Sequence, residues 1–154
     1  MKYAWMATAS LALAASAQGR AMQCVPVDNG IVEAQFARFN MALATKKPDA
    51  VTTLFAPGAV LLPTLSAEER TTPAGIRDYF VHFLEKSPVG HIDTSHARIG
   101  CNMASRMGNW SFELTDPATH KKSVAHARYT FIYTYEHGRW MIAHLHSSLM
   151  PTGH

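Results

Sequence analysis

A chain of 154 residues, 47% hydrophobic and 16% charged, has the size and composition of one folded domain, which excludes a disordered or low-complexity protein. Its formal charge of +3 is small and its basic residues are scattered, so nothing marks a nucleic-acid footprint. Lys46-Lys47 and Lys121-Lys122, the adjacent pairs, read as solvated surface.

The opening stretch, MKYAWMATASLALAASAQG, combines one lysine, an Ala- and Leu-rich run and the small-x-small sequence Ala15-Ser16-Ala17, the parts of a secretory signal peptide. Cleavage after Ala17 is expected, leaving residues 18–154 as a single mature domain that is periplasmic or secreted. The apolar run of roughly fourteen residues is shorter than the ~20 that span a bilayer, so no membrane attachment is expected after signal removal. Cys24 and Cys101 then remain in an exported chain. A disulfide between them would tether the N-terminus to a central strand; the alternative is two free buried thiols.

Asp28 or Asn29 can cap a helix over GIVEAQFARFNMALATKK, where Val32, Phe36, Phe39 and Leu43 recur every three or four residues and Lys46 and Lys47 occupy the last turn. Pro48 breaks it and can start a short second helix, PDAVTTLFA, ending at a Pro57-Gly58 turn. A short strand is expected over residues 59–63, and a polar loop over residues 64–72. Thr72-Pro73 then reads as an N-cap and first helical residue for PAGIRDYFVHFLEK, with Ile76, Tyr79, Phe80, Phe83 and Leu84 along one stripe. Residues 91–99 alternate loosely, and residues 103–114 read as a long strand carrying Trp110 and Phe112. Residues 125–150 form a hairpin about His137-Gly138 whose two arms alternate with a period of two. This is an α+β order of elements in one domain.

That order resembles the nuclear-transport-factor-2-like superfamily. The segment KKPDAVTTLFAPGAVLLPT is similar to the helix, turn and strand of SnoaL-like domains. RTTPAGIRDYFVHFL and HGRWMIAHLHSSLMP resemble bacterial, usually exported relatives of the association (hub) domain of calcium/calmodulin-dependent protein kinase II. The likeness covers residues 32–151, and it implies a cone-shaped barrel of a strongly curved, mostly antiparallel sheet wrapped around three N-terminal helices. It also implies a conical pocket and an outer sheet face that joins subunits into a homodimer or larger oligomer. The family's pocket histidine and arginines align with Ile76, Phe131 and Ser147, so its acid-binding set is not carried over residue by residue. No kinase domain or ATP-binding loop fits in the chain, and kinase activity is not implied.

Tyr79, Phe83, Trp110, His126, Arg128 and Tyr133 are the candidate ligand-binding residues. Arg128 is the natural anchor for a carboxylate if it faces inward, because its planar fork binds two oxygens; outward, it would pair across an interface, and a bulge would decide between the two. His144 and His146 share one face in an H-x-H pattern that suits a metal, with His126 on the partner strand as one further ligand and no carboxylate in the same strand segment; alternation puts the pair with Trp140 and Ile142 on the outer, subunit-contact face. No metal or other cofactor is expected. The leading expectation is an exported homo-oligomeric domain binding a small molecule. Two alternatives stand beside it: an isomerase, lyase or oxidoreductase-like enzyme with a base among His82, Asp78, Asp93 and His126, and a purely structural assembly module. Whether the chain is an enzyme is left open.

Overall fold

The computed structural model describes residues 23–151; the expected signal peptide of residues 1–17 lies outside them. Helix α1 spans Asn29–Ala44, α2 Pro48–Thr52 and α3 Pro73–Glu85; strands are β1 Phe55–Leu62, β2 Val89–Ile92, β3 His96–Gly100, β4 Met103–Thr115, β5 Lys122–Glu136 and β6 Arg139–Leu149. Asp28 caps α1 by accepting from the Ile31 N–H at 2.8 Å, and Thr72 caps α3 by accepting from the Gly75 N–H at 3.1 Å. Each satisfies a donor that the first helical turn leaves unpaired. Lys46 lies beyond α1 with φ 55°, not in its last turn.

The expected strongly curved, cone-shaped barrel is not formed. The six strands make an open mixed sheet in the order β1-β6-β5-β4-β2, with β3 also paired to β4. The chain ends its pairing with β1 on one side and with β2 and β3 on the other, so both edges stay open and closure never occurs. The β1–β6 pair is parallel and the remaining pairs are antiparallel. Helices, not sheet closure, cover the apolar face: Val32, Phe39 and Leu43 of α1 and Ile76, Phe80 and Leu84 of α3 join one core with Trp110, Phe131 and Leu145. Asn40 ties α1 to the β2 edge, its amide donating to Gly90 O and accepting from Gly90 N–H, both at 2.9 Å.

Three irregularities depart from the sequence reading. Strand β1 begins at Phe55, before the expected turn, because Pro57-Gly58 sits in a register shift between Phe55 and Val60 and Gly58 takes a φ of 75°. The loosely alternating residues 91–99 split into β2 and β3, which pair with successive parts of β4. In the hairpin, Ile132 faces His144 while Tyr133 faces Ile142, leaving Ala143 as an extra residue. A bulge of this kind reverses the in–out parity of everything beyond it. Ile142 therefore enters the core, and Trp140 packs partly buried against it, edge to face with Tyr135 at 5.5 Å. The hairpin turn itself is as read, with His137 and Gly138 both at positive φ, 51° and 78°.

Cys24 and Cys101 form a disulfide across a sequence separation of 77. It anchors the N-terminal segment to the turn between β3 and β4 and not to a central strand. Asn102 reinforces it, accepting from Val25 N–H at 2.9 Å and donating to Gln23 O at 3.1 Å. In the chain-entropy account a loop this long is worth at most about 4.5 kcal/mol. The double variant Cys24→Ser/Cys101→Ser is expected to lose about 2–4 kcal/mol in urea unfolding, whereas unchanged stability would mean the strap contributes nothing.

Candidate functional site

The interior where a conical pocket was expected is filled. Trp110, 2% exposed, stands at its centre with ring centroids 4.7 Å from Phe112, 5.2 Å from Tyr129 and 5.6 Å from Phe131. Its indole N–H donates to Ser147 Oγ at 3.0 Å, and Thr64 Oγ1 donates to the same oxygen. Only about 20 Å³ stays empty beside these groups, room for one water at most. A second void, of about 10 Å³, touches Tyr133 and Ile142.

A real concavity of about 200 Å³ opens one layer outward, between α3 and the loop of residues 63–72. Helix α3 presents Tyr79, His82, Phe83 and Lys86 to it, the i, i+3, i+4, i+7 set of one helical face. Tyr79 and Phe83 stack at 5.5 Å with an interplanar angle of 16°, forming an apolar wall that also borders the filled interior. Leu65, Ser66 and Arg70 close the opposite side. A backbone bridge sets Arg70 there, with its N–H donating to Leu61 O at 2.8 Å and its carbonyl accepting from Leu61 N–H at 2.9 Å. Its guanidinium pairs with Glu68 and reaches Asp78 at 4.0 Å, while its Nε is buried without a partner. Burial pushes the Tyr79 phenol well above its usual range, so it stays a neutral donor at any physiological pH. The pocket thus offers stacked aromatics, one unused guanidinium N–H and, at its rim, the Lys86 ammonium and the His82 imidazole.

A wider, open cleft of about 720 Å³ lies elsewhere, along the far end of the hairpin. It brings Asp93 and His126 together with Val124, Leu149 and Met150. Asp93 Oδ1 accepts from Ser111 Oγ at 3.0 Å, and Ser111 faces His126 across the β4–β5 pair.

The six expected ligand residues therefore separate. Tyr79 and Phe83 share the α3 pocket; Trp110 and Tyr133 are core; His126 and Arg128 are exposed on the opposite sheet face. Alternation runs unbroken through this part of β5, with Tyr129, Phe131 and Tyr133 inward, so Arg128 points away from all three and lies beside Asn109 and Ser148. Of the expected interface residues, His144 and His146 do face outward opposite Ile132 and Thr130, His144 with Nδ1 3.1 Å from Val60 O, while Trp140 does not. Among the described residues no three His, Cys, Asp or Glu groups converge as a metal site would need. His82 is exposed, as its helical phase implies, and edges the α3 pocket. Arg70 carried no signal, being one cation in a polar loop, and Arg106, inward on β4 and 6% exposed, was counted only among scattered basic residues.

Among the described residues no helix is long and apolar enough to cross a membrane. No curated protein matches the chain. A solved protein from Xanthomonas campestris, named for the calcium/calmodulin dependent protein kinase II association domain, is 45% identical over 78% of this chain and 86% of that one, with a TM-score of 0.76. More distant structures share the fold: a nuclear transport factor 2-like superfamily protein from Salmonella enterica (15% identity, 79% and 91% covered, TM-score 0.68) and a ketosteroid isomerase-like protein from Erwinia carotovora atroseptica (16%, 80% and 96%, TM-score 0.65). The family described as the calcium/calmodulin dependent protein kinase II association domain matches residues 30–151, nearly all of what the structure describes. With that span and the Xanthomonas relative, this chain belongs to the calcium/calmodulin dependent protein kinase II association domain family.

Proposed function

We propose that this chain is an exported, homo-oligomeric domain that binds a small, partly apolar molecule between α3 and the 63–72 loop, without kinase activity. The observation that carries the reading is the Arg70 Nε, a buried donor without a partner beside a stacked Tyr79–Phe83 wall. Pockets that bind small molecules pair an apolar lining with a few placed polar groups. At about 200 Å³ the site is below the usual size for drug-like ligands, which favours a ligand of one ring. Lys86 and His82 at the rim favour an acceptor or anionic group on it. Export rests on the signal-like first 17 residues, and oligomerisation on the outward strip of Arg128, Thr130, Ile132, His144 and His146.

Calorimetric titration with benzoate tests the site. Arg70→Met is expected to weaken binding about 10-fold or more, the worth of one hydrogen bond from a charged group, while Arg128→Met leaves it unchanged. The reverse pattern would move the site to the outer face, and no binding to the wild type would leave assembly as the domain's role. A monomer in light scattering at micromolar concentration would remove the oligomer. A second reading, catalysis, is favoured by one observation: Asp93 and His126, both weighed as bases, border the same open cleft.

A further inference from the structure

Strand β6 stops short of its neighbour. Its last pair is Leu149 with Ala127, and Met150 N–H still donates to His126 O at 2.9 Å, after which the β4–β5 pair runs on alone to Thr115 and Lys122. The open cleft of about 720 Å³ lies in the notch this leaves. Leu65, Val124, Leu149 and Met150 line it, four of the eight large apolar side chains left exposed among the described residues. Single apolar residues on a surface need no explanation, whereas a cluster of them marks a place that something covers.

Leu65 borders the α3 pocket as well, so the two concavities meet at one side chain. Its position follows from its neighbour. Thr64 Oγ1 donates to Ser147 Oγ, and Ser147 and Leu149, opposite Tyr129 and Ala127, share the helix-covered face of β6. The loop of residues 63–72 is thereby pinned beside the end of β6, which sets Leu65 between the Tyr79–Phe83 wall and the notch.

The two ends differ in charge. Arg70 and Lys86 line the α3 pocket; Glu68 and Asp78 take the Nη atoms of Arg70 and leave its buried Nε without a partner. Asp93 is the one fully ionised side chain lining the notch, so an anion is repelled there and drawn to the α3 end. Size points the same way. At about 200 Å³ the α3 pocket is smaller than a usual ligand site, while the notch it adjoins lies within that range.

We propose that the α3 pocket and the notch are two ends of one site for an amphiphilic monocarboxylic acid. Its anionic, ring-bearing head lies at Arg70 and Lys86, and its unbranched hydrocarbon tail passes over Leu65 to rest against Leu149, Met150 and Val124. The inference rests on the α3-pocket reading and adds to it the tail, its length and its direction.

Calorimetric titration of the mature chain with benzoate, 4-butylbenzoate and 4-octylbenzoate, all below micelle-forming concentrations, tests both parts separately. A methylene moved fully out of water tightens binding about 4-fold, and one laid in a trough open on one side about 2-fold. Wild type is therefore expected to bind the butyl compound roughly 10-fold and the octyl compound roughly 100-fold more tightly than benzoate. Val124→Ser/Leu149→Ser, at two exposed positions, should flatten this gain and leave benzoate affinity unchanged, while Ile99→Ser, at an exposed position outside the notch, should leave the whole series as in wild type. Arg70→Met should weaken all three acids by the same factor of about 10. Benzoate binding with no gain from the tail overturns the extended site and leaves the α3 pocket standing. A gain that survives Val124→Ser/Leu149→Ser places the tail elsewhere and also overturns it. Octylbenzoate binding indifferent to Arg70→Met, or no binding of any of the three, overturns both readings. A lower mass of Val124→Ser/Leu149→Ser in light scattering overturns the proposal in favour of a second copy of this chain as the occupant of the notch.

Discussion

Gly108→Ala is expected to lower the melting temperature by roughly 10 °C, through a loss of about 3 kcal/mol in a domain of this size. A Cβ built on Gly108 falls 2.1 Å from Thr94 O and 2.7 Å from Thr94 C, which are backbone atoms. They cannot yield alone. Asp93 and Thr94 N–H groups both donate to Asn109 O, at 3.0 and 3.1 Å, Asn109 N–H donates to Thr94 Oγ1 at 2.9 Å, and Tyr129 donates to Thr94 O. Relief therefore means breaking this clamp between the β2–β3 break and β4, or splaying β4 away from it. Gly100→Ala is the matched control, because its Cβ would meet Met103 O at 3.6 Å, an ordinary contact. Thermal unfolding of the two variants should separate them clearly, and a Gly108→Ala protein that melts with wild type would mean the clamp is loose in solution.

That clamp also shows where the sequence stops being readable. Features set by near neighbours came through: the α1 and α3 stripes, the Asp28 and Thr72 caps, the His137-Gly138 turn and the long alternating arms. Each is fixed by side-chain periodicity or by a residue's own φ preference. The disulfide was legible because two cysteines behind a signal-like N-terminal stretch leave one pairing. What failed was set by single residues acting at a distance. Ala143 has nothing in its type that announces a bulge, yet it moved Trp140 and Ile142 from the outer face to the inner one. The open sheet could not be inferred either, since whether the β1 and β2 edges meet depends on pairings with β6 and β4, strands distant from them in the chain.

The site suffered most. Arg128 drew attention for its chemistry, and unbroken alternation carries it outward; Arg70 lay in a stretch read as a loop and came to α3 through a two-bond bridge to Leu61. Arg106 was legible in principle, because Ala104, Arg106, Trp110, Phe112 and Leu114 share one parity on β4 and all are buried. An arginine in that row is the sort of local conflict that marks a functional or strained position. Shared fold with isomerase-like and transport-factor-like proteins does not decide among chemistries, so side-chain placement has to.

Trp110→Ala is the second change with a large expected effect, about 4 kcal/mol of lost stability in urea unfolding. The indole is in contact range of Phe36, Phe39, Phe112, Tyr129 and Phe131, and those rings belong to α1, β4 and β5. Collapse into the space would require a helix and two strands to move together, so most of the volume should persist as a cavity. Ser147 loses the indole donor but keeps Thr64, so the polar part of the cost is small and packing loss dominates. A dry cavity of this shape should accept indole, and millimolar indole is expected to return part of the lost melting temperature by binding only the folded variant. The same indole should leave wild type unmoved, because about 20 Å³ offers it no space. Rescue would show that Trp110 alone separates this interior from a ligand-sized chamber, placing binding in wild type outward of the Tyr79–Phe83 wall. A loss near 2 kcal/mol without rescue would instead show that α1 closes onto the sheet, and that the wall is ordinary core backing and not a partition.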